Sequence, residues 1–256
     1  MKLTVLGCWA PYPRAGGACS GYLIRSGGLN VLLDAGNGTL SALMRLIDFR
    51  MLDAVIISHL HHDHYLDLFS LRHAIEGARR DGSREAPLKL FAPSEPAADF
   101  KLLAGYEKAF ITAALESLPV ENTPKGLNVR RLELGSLTFR FVPALHPLPG
   151  YSISIEDNHK LVFSGDSAPT KELTALAEGA DLFLCEASGL DSDTEAMRGI
   201  HLTARQAGET AREAGAERLL LTHFWPEYDL SLLSKQAEEG FSGVVSLARE
   251  GETHRV

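Results

Sequence analysis

The sequence predicts a mixed fold, α/β or α+β, from three observations. Short apolar runs of strand length recur along the 256 residues. Longer segments with apolar residues at helical spacing separate many of these runs, and strands and helices alternate regularly in the last third of the chain. An apolar share of 45% and a charged share of 23% are ordinary for a globular protein. The length can supply a substantial core, and one domain over residues 1–256 is the expected organisation.

In the first half, runs rich in apolar and β-branched residues, bounded by turn residues, predict strands. These strands lie at residues 2–7, 21–26, 29–34, 53–57 and 88–92. Apolar residues at helical spacing predict helices at 38–48 and 64–80 and a helical region within 95–117. Residues 119–126 are the best candidate for a connector between the two halves, although they do not predict a domain boundary.

In the second half, the same criteria predict a group of strands followed by alternating elements. The predicted strands lie at residues 128–134, 137–142, 151–156, 160–164, 181–186, 218–222 and 242–248. The predicted helices lie at residues 170–178, 203–214 and 229–239. The turn residues at 156–159 indicate a hairpin between two of the strands.

Charge, hydropathy and cysteine content limit the expected partners and the expected cellular compartment. The net charge is −8 and no long block of Lys or Arg occurs, which argues against nucleic acid as the main partner. No apolar stretch approaches the ~20 residues of a membrane helix, so no membrane association is expected. Cys8, Cys19 and Cys185 lack metal-type spacing, and an odd number of cysteines suits a reducing compartment. The expected localisation is cytoplasmic.

The string Ser-His-Leu-His-His-Asp-His at residues 58–64 follows a short apolar strand and carries the strongest functional signal. Within it, the pattern H-x-H-x-D-H places four ligand-type side chains in six positions: His59, His61, Asp63 and His64. Residues two apart in an extended segment point to the same side, so His59 and His61 can share one ion. A helix that begins here can turn the other two toward a second ion. Such a density of polar side chains is costly in a folded protein unless a metal ion compensates for their desolvation.

This string resembles the signature of the metallo-β-lactamase superfamily, and further pieces follow in the order of that family. Asp34-Ala35-Gly36 looks like its first motif. His146, Asp166 and His223 match its later metal-binding positions, and the last two follow apolar runs. The resemblance spans nearly the whole chain and implies an αββα sandwich of two mixed sheets flanked by helices.

The resemblance also implies a dinuclear metal centre. Its first ion would be held by His59, His61 and His146, its second by Asp63, His64 and His223, with Asp166 bridging the two. Imidazole and carboxylate ligands without thiolate favour zinc, with manganese or iron(II) as alternatives. A pair of ions ~3.5–4 Å apart can generate a bridging hydroxide nucleophile near neutral pH, so the expected reaction is metal-assisted hydrolysis. Asp34 is expected either to hydrogen-bond a ligand histidine or to stabilise a turn.

Glu186 and His201 point to phosphodiesters. The sequence around them closely resembles the C-terminal third of the tRNase Z group, in which a glutamate and a histidine form a dyad beside the metals. The implied catalytic residues are Asp63, Glu186 and His201, with Glu186 orienting His201 as a general acid. However, only 20 residues separate His146 from Asp166, where tRNA-processing members carry a long exosite insertion. The chain therefore resembles relatives that lack the exosite and cleave small or cyclic phosphodiesters.

Three alternatives stay open. The same ions could hydrolyse a carboxyl ester, thioester or lactone, and a tRNA 3′-processing endonuclease is a minor alternative. A binding protein that keeps the fold without catalysis is disfavoured, because all seven ligand positions are filled. A small-molecule substrate and a possible homodimer complete the expectations.

Overall fold

The computed structural model describes residues 1–123 and 126–256. The strands are β1 Lys2–Gly7, β2 Gly21–Ser26, β3 Leu29–Leu33, β4 Ala54–Ile56, β5 Leu88–Ala92, β6 Phe110–Ala114, β7 Val120–Asn122, β8 Asn128–Leu134, β9 Leu137–Pro143, β10 Tyr151–Glu156, β11 Lys160–Phe163, β12 Leu182–Glu186, β13 Arg218–Thr222, β14 Val244–Leu247 and β15 Thr253–Arg255. The α-helices are α1 Thr39–Met44, α2 His62–Tyr65, α3 Leu68–Arg80, α4 Ala97–Ala104, α5 Lys171–Ala177, α6 Thr194–Met197, α7 Ala204–Ala214 and α8 Leu230–Gly240. Single 3₁₀ turns lie at Phe49–Met51, Leu115–Ser117 and Asp191–Asp193.

The strands form two mixed sheets. The first sheet has the order β15-β1-β2-β3-β4-β5-β6, and the second has the order β14-β13-β12-β11-β10-β9-β8-β7. In the first sheet, the pairs β3–β4, β4–β5 and β5–β6 are parallel. The pairs β15–β1, β1–β2 and β2–β3 are antiparallel. In the second, β11 to β14 are parallel and β7 to β11 are antiparallel. Parallel strands end at a common edge, and that edge carries the functional residues described below.

Alternating side chains of the strands divide the core into layers. On β3, Val31 and Leu33 face the second sheet, whereas Leu32 faces the helices that cover the outside of the first sheet. Helices α1, α3 and α4 bury their apolar side chains in that outer layer, and α5, α7 and α8 pack on the second sheet. The layer order is therefore helix, sheet, sheet, helix, which is the predicted αββα sandwich.

The helical region predicted within 95–117 is confirmed by α4, Ala97–Ala104, but strand β6, which pairs with β5 in the same region, was not predicted. Two predicted helix boundaries are wrong. The predicted helix 64–80 begins at His62 and is interrupted before Leu68. The helix predicted at 38–48 ends at Met44.

Two further short edge strands were not predicted. Strand β15 pairs with β1, and β7 occupies part of the predicted connector at 119–126. Residues 124–125 of that connector lie outside the described residues. Among the residues that are described, no helix is both long and apolar enough to cross a bilayer.

Two helical glycines provide a matched test of the packing. A Cβ placed on Gly208 of α7 would lie 2.2 Å from the carbonyl oxygen of Ala237 in α8, whereas a Cβ on Gly77 of α3 meets nothing within 4 Å. We expect Gly208→Ala to lower the free energy of unfolding by about 1–3 kcal/mol through overpacking. Gly77→Ala should raise it by about 0.4–1 kcal/mol through the entropy of the unfolded chain. Urea denaturation of both variants checks this, and a Gly208→Ala protein as stable as wild type would contradict the described helix contact.

Candidate metal centre

The predicted ligands converge on one edge of the sandwich, where strands of both sheets end. The first sheet supplies residues 59 and 61 after β4, and Asp63 and His64 in α2. The second sheet supplies His146 after β9, Asp166 after β11 and His223 after β13. The structure therefore brings together residues that are up to 164 positions apart in the chain (59 to 223).

The first ligand group contains His59, His61, His146 and Asp166, whose ligand atoms all lie within 4.8 Å of one another. Nδ1 of His61 lies 3.0 Å from Nε2 of His59 and 3.0 Å from Nε2 of His146. Oδ2 of Asp166 lies 3.5 Å from Nε2 of His59. Three imidazole nitrogens and a carboxylate that face one another at such distances match the donor set of a divalent cation.

The second ligand group contains Asp63, His64 and His223. The Nε2 atoms of the two histidines lie 3.2 Å apart, and Oδ2 of Asp63 is 3.6 Å from each of them. Oδ1 of Asp166 lies 3.4 Å from Nε2 of His64 and 3.2 Å from Nε2 of His223. The two carboxylate oxygens of Asp166 thus face different groups.

Asp166 provides the clearest indication that cations fit here. Its Oδ1 atom is buried and has no hydrogen-bond donor among the described residues. A buried carboxylate oxygen without a partner is costly, and a metal ion between the two ligand groups would satisfy it. The residues present therefore fit a pair of divalent cations with Asp166 between them.

Asp34 orients two of the candidate ligands. It accepts a hydrogen bond from Nδ1 of His64 at 2.8 Å, and it also accepts from the amide and hydroxyl of Ser58 at 2.7 and 2.8 Å. A carboxylate only accepts, so Nδ1 of His64 carries the proton and Nε2 offers its lone pair to the centre. Nδ1 of His59 lies 3.2 Å from the Ser58 hydroxyl oxygen, which can accept a hydrogen bond from it. The expected hydrogen bond between Asp34 and a ligand histidine is therefore present, with His64 as the donor, and Ser58 links Asp34 to a second histidine, His59.

The remaining two Nε2 ligands are fixed in the same way. Nδ1 of His146 donates to the carbonyl oxygen of Ile200 at 2.9 Å. Nδ1 of His223 lies 2.7 Å from the Ser188 hydroxyl, which itself donates to Glu186. The hydroxyl hydrogen of Ser188 is used in the hydrogen bond to Glu186. The hydroxyl oxygen of Ser188 therefore accepts a hydrogen bond from Nδ1 of His223. Sequence reasoning did not single out Ser58, Ser188 or the Ile200 carbonyl, since neither serine nor a backbone oxygen has a distinctive motif.

Backbone strain also concentrates here. Asp34 and His223 are the non-glycine residues with positive φ in the described chain, at 54° and 60°. Such conformations cost of order 1–3 kcal/mol each and persist where surrounding structure fixes them, which is common at functional sites.

Glu186 and His201 form the predicted pair. Nδ1 of His201 lies 3.0 Å from Oε2 of Glu186 and 3.2 Å from Oε1, and the amide of Ser167 donates to Oε1 at 2.6 Å. Glu186 is fully buried at the end of β12. Nδ1 of His201 is also 3.9 Å from Oδ2 of Asp166, and His201 falls in a third group of possible ligands with Asp166 and His223. His201 therefore stands at the edge of the candidate metal centre.

The electrostatic environment shifts the pKa values of the histidines in different directions. Burial holds the pKa of His59 well below its usual range and lowers the pKa values of His61 and His146, which favours the neutral form that binds metals. Burial alone would also lower the pKa of His201, but the carboxylates of Glu186 and Asp166 together outweigh it and raise that pKa to about 9. Without a cation, carboxylates outweigh burial at His64 and raise its pKa, so a proton and a cation compete for its nitrogen.

A cleft of about 430 Å³ opens over these groups, a volume within the usual range for small-molecule sites. His62 lines it, is exposed and belongs to neither ligand group. Trp225 also lines the cleft, whereas Tyr151 is buried in the core and donates to Glu116.

Comparison with known proteins decides the family. The profile described as "Beta-lactamase superfamily domain" matches residues 29–224. The chain belongs to this superfamily. The predicted resemblance and fold are confirmed.

Three known proteins illustrate the relationship. The "Probable metallo-hydrolase YhfI" of Bacillus subtilis is 32% identical over 256 residues, covering 98% of each chain. The crystal structure of YhfI superposes with a TM-score of 0.89 at 33% identity, covering 99% of this chain and 98% of the other. The human short form of tRNase Z (TM-score 0.75, 20% identity, 100% and 99% covered) shares the fold. So does a diphosphatase of the PhnP family (0.74, 18%, 100% and 97% covered).

The family and the clustered histidines and aspartates together establish the general activity. The protein is a metal-dependent hydrolase with a metallo-β-lactamase fold. The residues suit divalent cations.

Proposed function

We propose that the protein is a dinuclear phosphodiesterase that acts on small or cyclic phosphodiesters. The observation that carries this proposal is the position of His201, which lines the same cleft as residues of both ligand groups and is held from behind by the buried Glu186. A thioester expels a thiolate, which needs little protonation. An alkoxide, the leaving group of a phosphodiester, benefits from a positioned proton donor, and His201 can supply one.

The cations would occupy the two ligand groups described above. His59, His61 and His146 would hold the first ion, Asp63, His64 and His223 the second, and Asp166 would contact both. Zinc is the proposed metal, with manganese or iron(II) as alternatives, because imidazole and carboxylate accept all three. When bound, such a pair supplies Lewis acidity and an activated water at neutral pH.

The chain's own residues would handle the leaving group. Glu186 holds Nδ1 of His201, and Nε2 of the imidazolium then donates a proton to the oxygen of the departing alcohol. Asp63 belongs to the same cleft wall and is proposed to act as part of the second ligand group.

The short connection between His146 and Asp166 supports a small substrate. Between His146 and Asp166 the chain forms only the β10–β11 hairpin, which pairs with β9 and β12 inside the sheet. In this region of the described chain, no inserted arm extends from the sheet that could bind a tRNA. The structures of tRNase Z and of the PhnP-family diphosphatase share the fold, and the word diphosphatase in the second name agrees with phosphoryl chemistry.

Turnover of model esters tests the proposal. Metal-loaded protein should release nitrophenol from bis(p-nitrophenyl) phosphate and should hydrolyse lactones and thioesters far more slowly. Rapid lactone or thioester hydrolysis without diester turnover would refute the phosphodiesterase and favour the carboxyl-ester class. Salt-dependent tight binding of tRNA would instead indicate the endonuclease.

Ser188→Ala should weaken metal binding. The change removes the acceptor for the buried Nδ1–H of His223 and a donor to Glu186, and loss of such supporting contacts typically costs about 10–100-fold in metal affinity. Competition with a chromophoric chelator measures the dissociation constant. Ser192→Ala, a nearby exposed serine, is the matched control and should bind metal as wild type does. Equal affinity in Ser188→Ala would show that Ser188 does not support His223.

A further inference from the structure

The residues that line the cleft fall into two chemical groups. The first comprises histidines and carboxylates of the candidate metal centre together with Ser188 and His201. The second, the apolar wall, consists of Ala10, Pro11, Met197 and Trp225. Among the described residues, no lysine or arginine lines the cleft. The apolar wall therefore offers contact area to an uncharged part of a substrate and no counter-charge to a second phosphate.

Trp225 is the largest side chain of this wall and is held by other aromatic rings. It remains 39% exposed, and it lines the cleft two residues after His223. The ring of Tyr12 contacts it edge-to-face at 6.2 Å between centroids, and the ring of Tyr228 lies at 6.3 Å. The Tyr228 hydroxyl donates to Asp193 at 2.6 Å, which ties this aromatic group to the segment that carries Met197.

Arg14 fixes the backbone on either side of Tyr228. Its Nε donates to the carbonyl oxygen of Pro226 at 2.7 Å, and a terminal nitrogen donates to the carbonyl of Tyr228 at 3.0 Å. The guanidinium stacks over Trp9 at 4.3 Å from the ring centroid, and Trp9 packs against Phe224 at 6.0 Å. The loop that carries Trp225 is thus anchored before ligand arrives, which lowers the entropic cost of binding.

We infer that Trp225 forms a subsite for a planar ring in the substrate, next to the phosphate position over the metal centre. This inference rests on the proposed phosphodiesterase activity and names its substrate class: a phosphodiester with an aromatic or heteroaromatic group on one side. Aromatic faces stack on planar rings, and the thioether of Met197 adds a polarisable contact on the same wall. The absence of lysine and arginine from the described lining disfavours a substrate with a second charged phosphate.

Binding of simple phosphate monoesters isolates the ring contribution. The ligands are phenyl phosphate, cyclohexyl phosphate and methyl phosphate, titrated calorimetrically into zinc-loaded protein. All three present the same phosphate to the metal centre and differ only in the group attached. Phenyl phosphate should bind about tenfold more tightly than methyl phosphate, and more tightly than cyclohexyl phosphate, because stacking requires a planar ring.

Two variants assign the effect to Trp225. In Trp225→Ala the phenyl preference over methyl phosphate should fall to about one, whereas Trp225→Phe should retain most of it. Metal content should equal that of wild type in both variants, which separates loss of the subsite from damage to the fold. The wild-type ratios stand by themselves if Trp225→Ala fails to fold.

The outcomes distinguish the two levels of the argument. Binding of none of the three phosphates to the metal-loaded protein would overturn the proposed function, and the subsite with it. Equal binding of all three, or of phenyl and cyclohexyl phosphate, would overturn the planar-ring subsite and leave the phosphodiesterase standing. A phenyl preference that survives in Trp225→Ala would overturn the assignment to Trp225.

Discussion

Asp166→Asn is expected to lower the turnover of bis(p-nitrophenyl) phosphate by about 10³-fold, because metal charge contributes several kcal/mol of transition-state stabilisation. Asn keeps the shape of Asp but replaces a charged ligand by a neutral amide. Each oxygen of Asp166 faces a different ligand group, with Oδ2 near His59 and Oδ1 near His64 and His223. The substitution should therefore weaken the binding of both ions, and metal analysis should show fewer than two ions per protein chain.

Asp63→Asn and His62→Ala are the matched comparisons for Asp166→Asn. Asp63 belongs only to the second ligand group, so Asp63→Asn should retain the first ion and lose the second. His62 lies between ligands in sequence but is exposed and outside both groups, so His62→Ala should retain both ions. An Asp166→Asn protein with full metal content and undiminished turnover would contradict the bridging position of Asp166.

His201→Ala is expected to lower kcat by about 10²–10⁴-fold with metal content unchanged, the range for loss of a general acid. The effect should grow as the leaving group becomes more basic, because a good leaving group needs little protonation. A series of aryl methyl phosphates with phenols of increasing pKa measures this dependence. Wild type should show a shallow decline in rate along the series, and His201→Ala a steep one.

The same variant separates a proton donor from a metal ligand or a structural residue. His201 falls in a group of possible ligands with Asp166 and His223, so reduced metal content in His201→Ala would indicate ligation instead. Equal losses across all leaving groups would indicate a structural role. Glu186→Gln should give a smaller loss with the same leaving-group dependence, since Gln can still accept from Nδ1 but without charge.

The clustering of the candidate ligands could be predicted because their residue types are distinctive and they lie at the ends of strands. The loop 58–64 follows β4, and Asp166 and His223 follow β11 and β13, whose apolar runs are visible in the sequence. Parallel strands then carry these ends to one edge of the sheets. Periodicity alone gave only a mixed fold, and the αββα order came from the family resemblance.

The supporting contacts were not predictable from the sequence. Ser188 reaches His223 only because β12 and β13 are neighbours in register, and Ser58 reaches Asp34 because β3 and β4 pair. Such contacts depend on tertiary geometry, for which a serine in a loop gives no signal. The short strands β7 and β15 were missed for a related reason, since three-residue edge strands carry too little alternation to be recognised.

Anomalous X-ray diffraction from crystals of the zinc-loaded protein tests the central claim most directly. The account predicts two peaks ~3.5–4 Å apart. One should lie among His59, His61 and His146, the other among Asp63, His64 and His223, with Asp166 between them. One peak, no peak, or a pair of peaks that leaves Asp166 without a metal contact would contradict it.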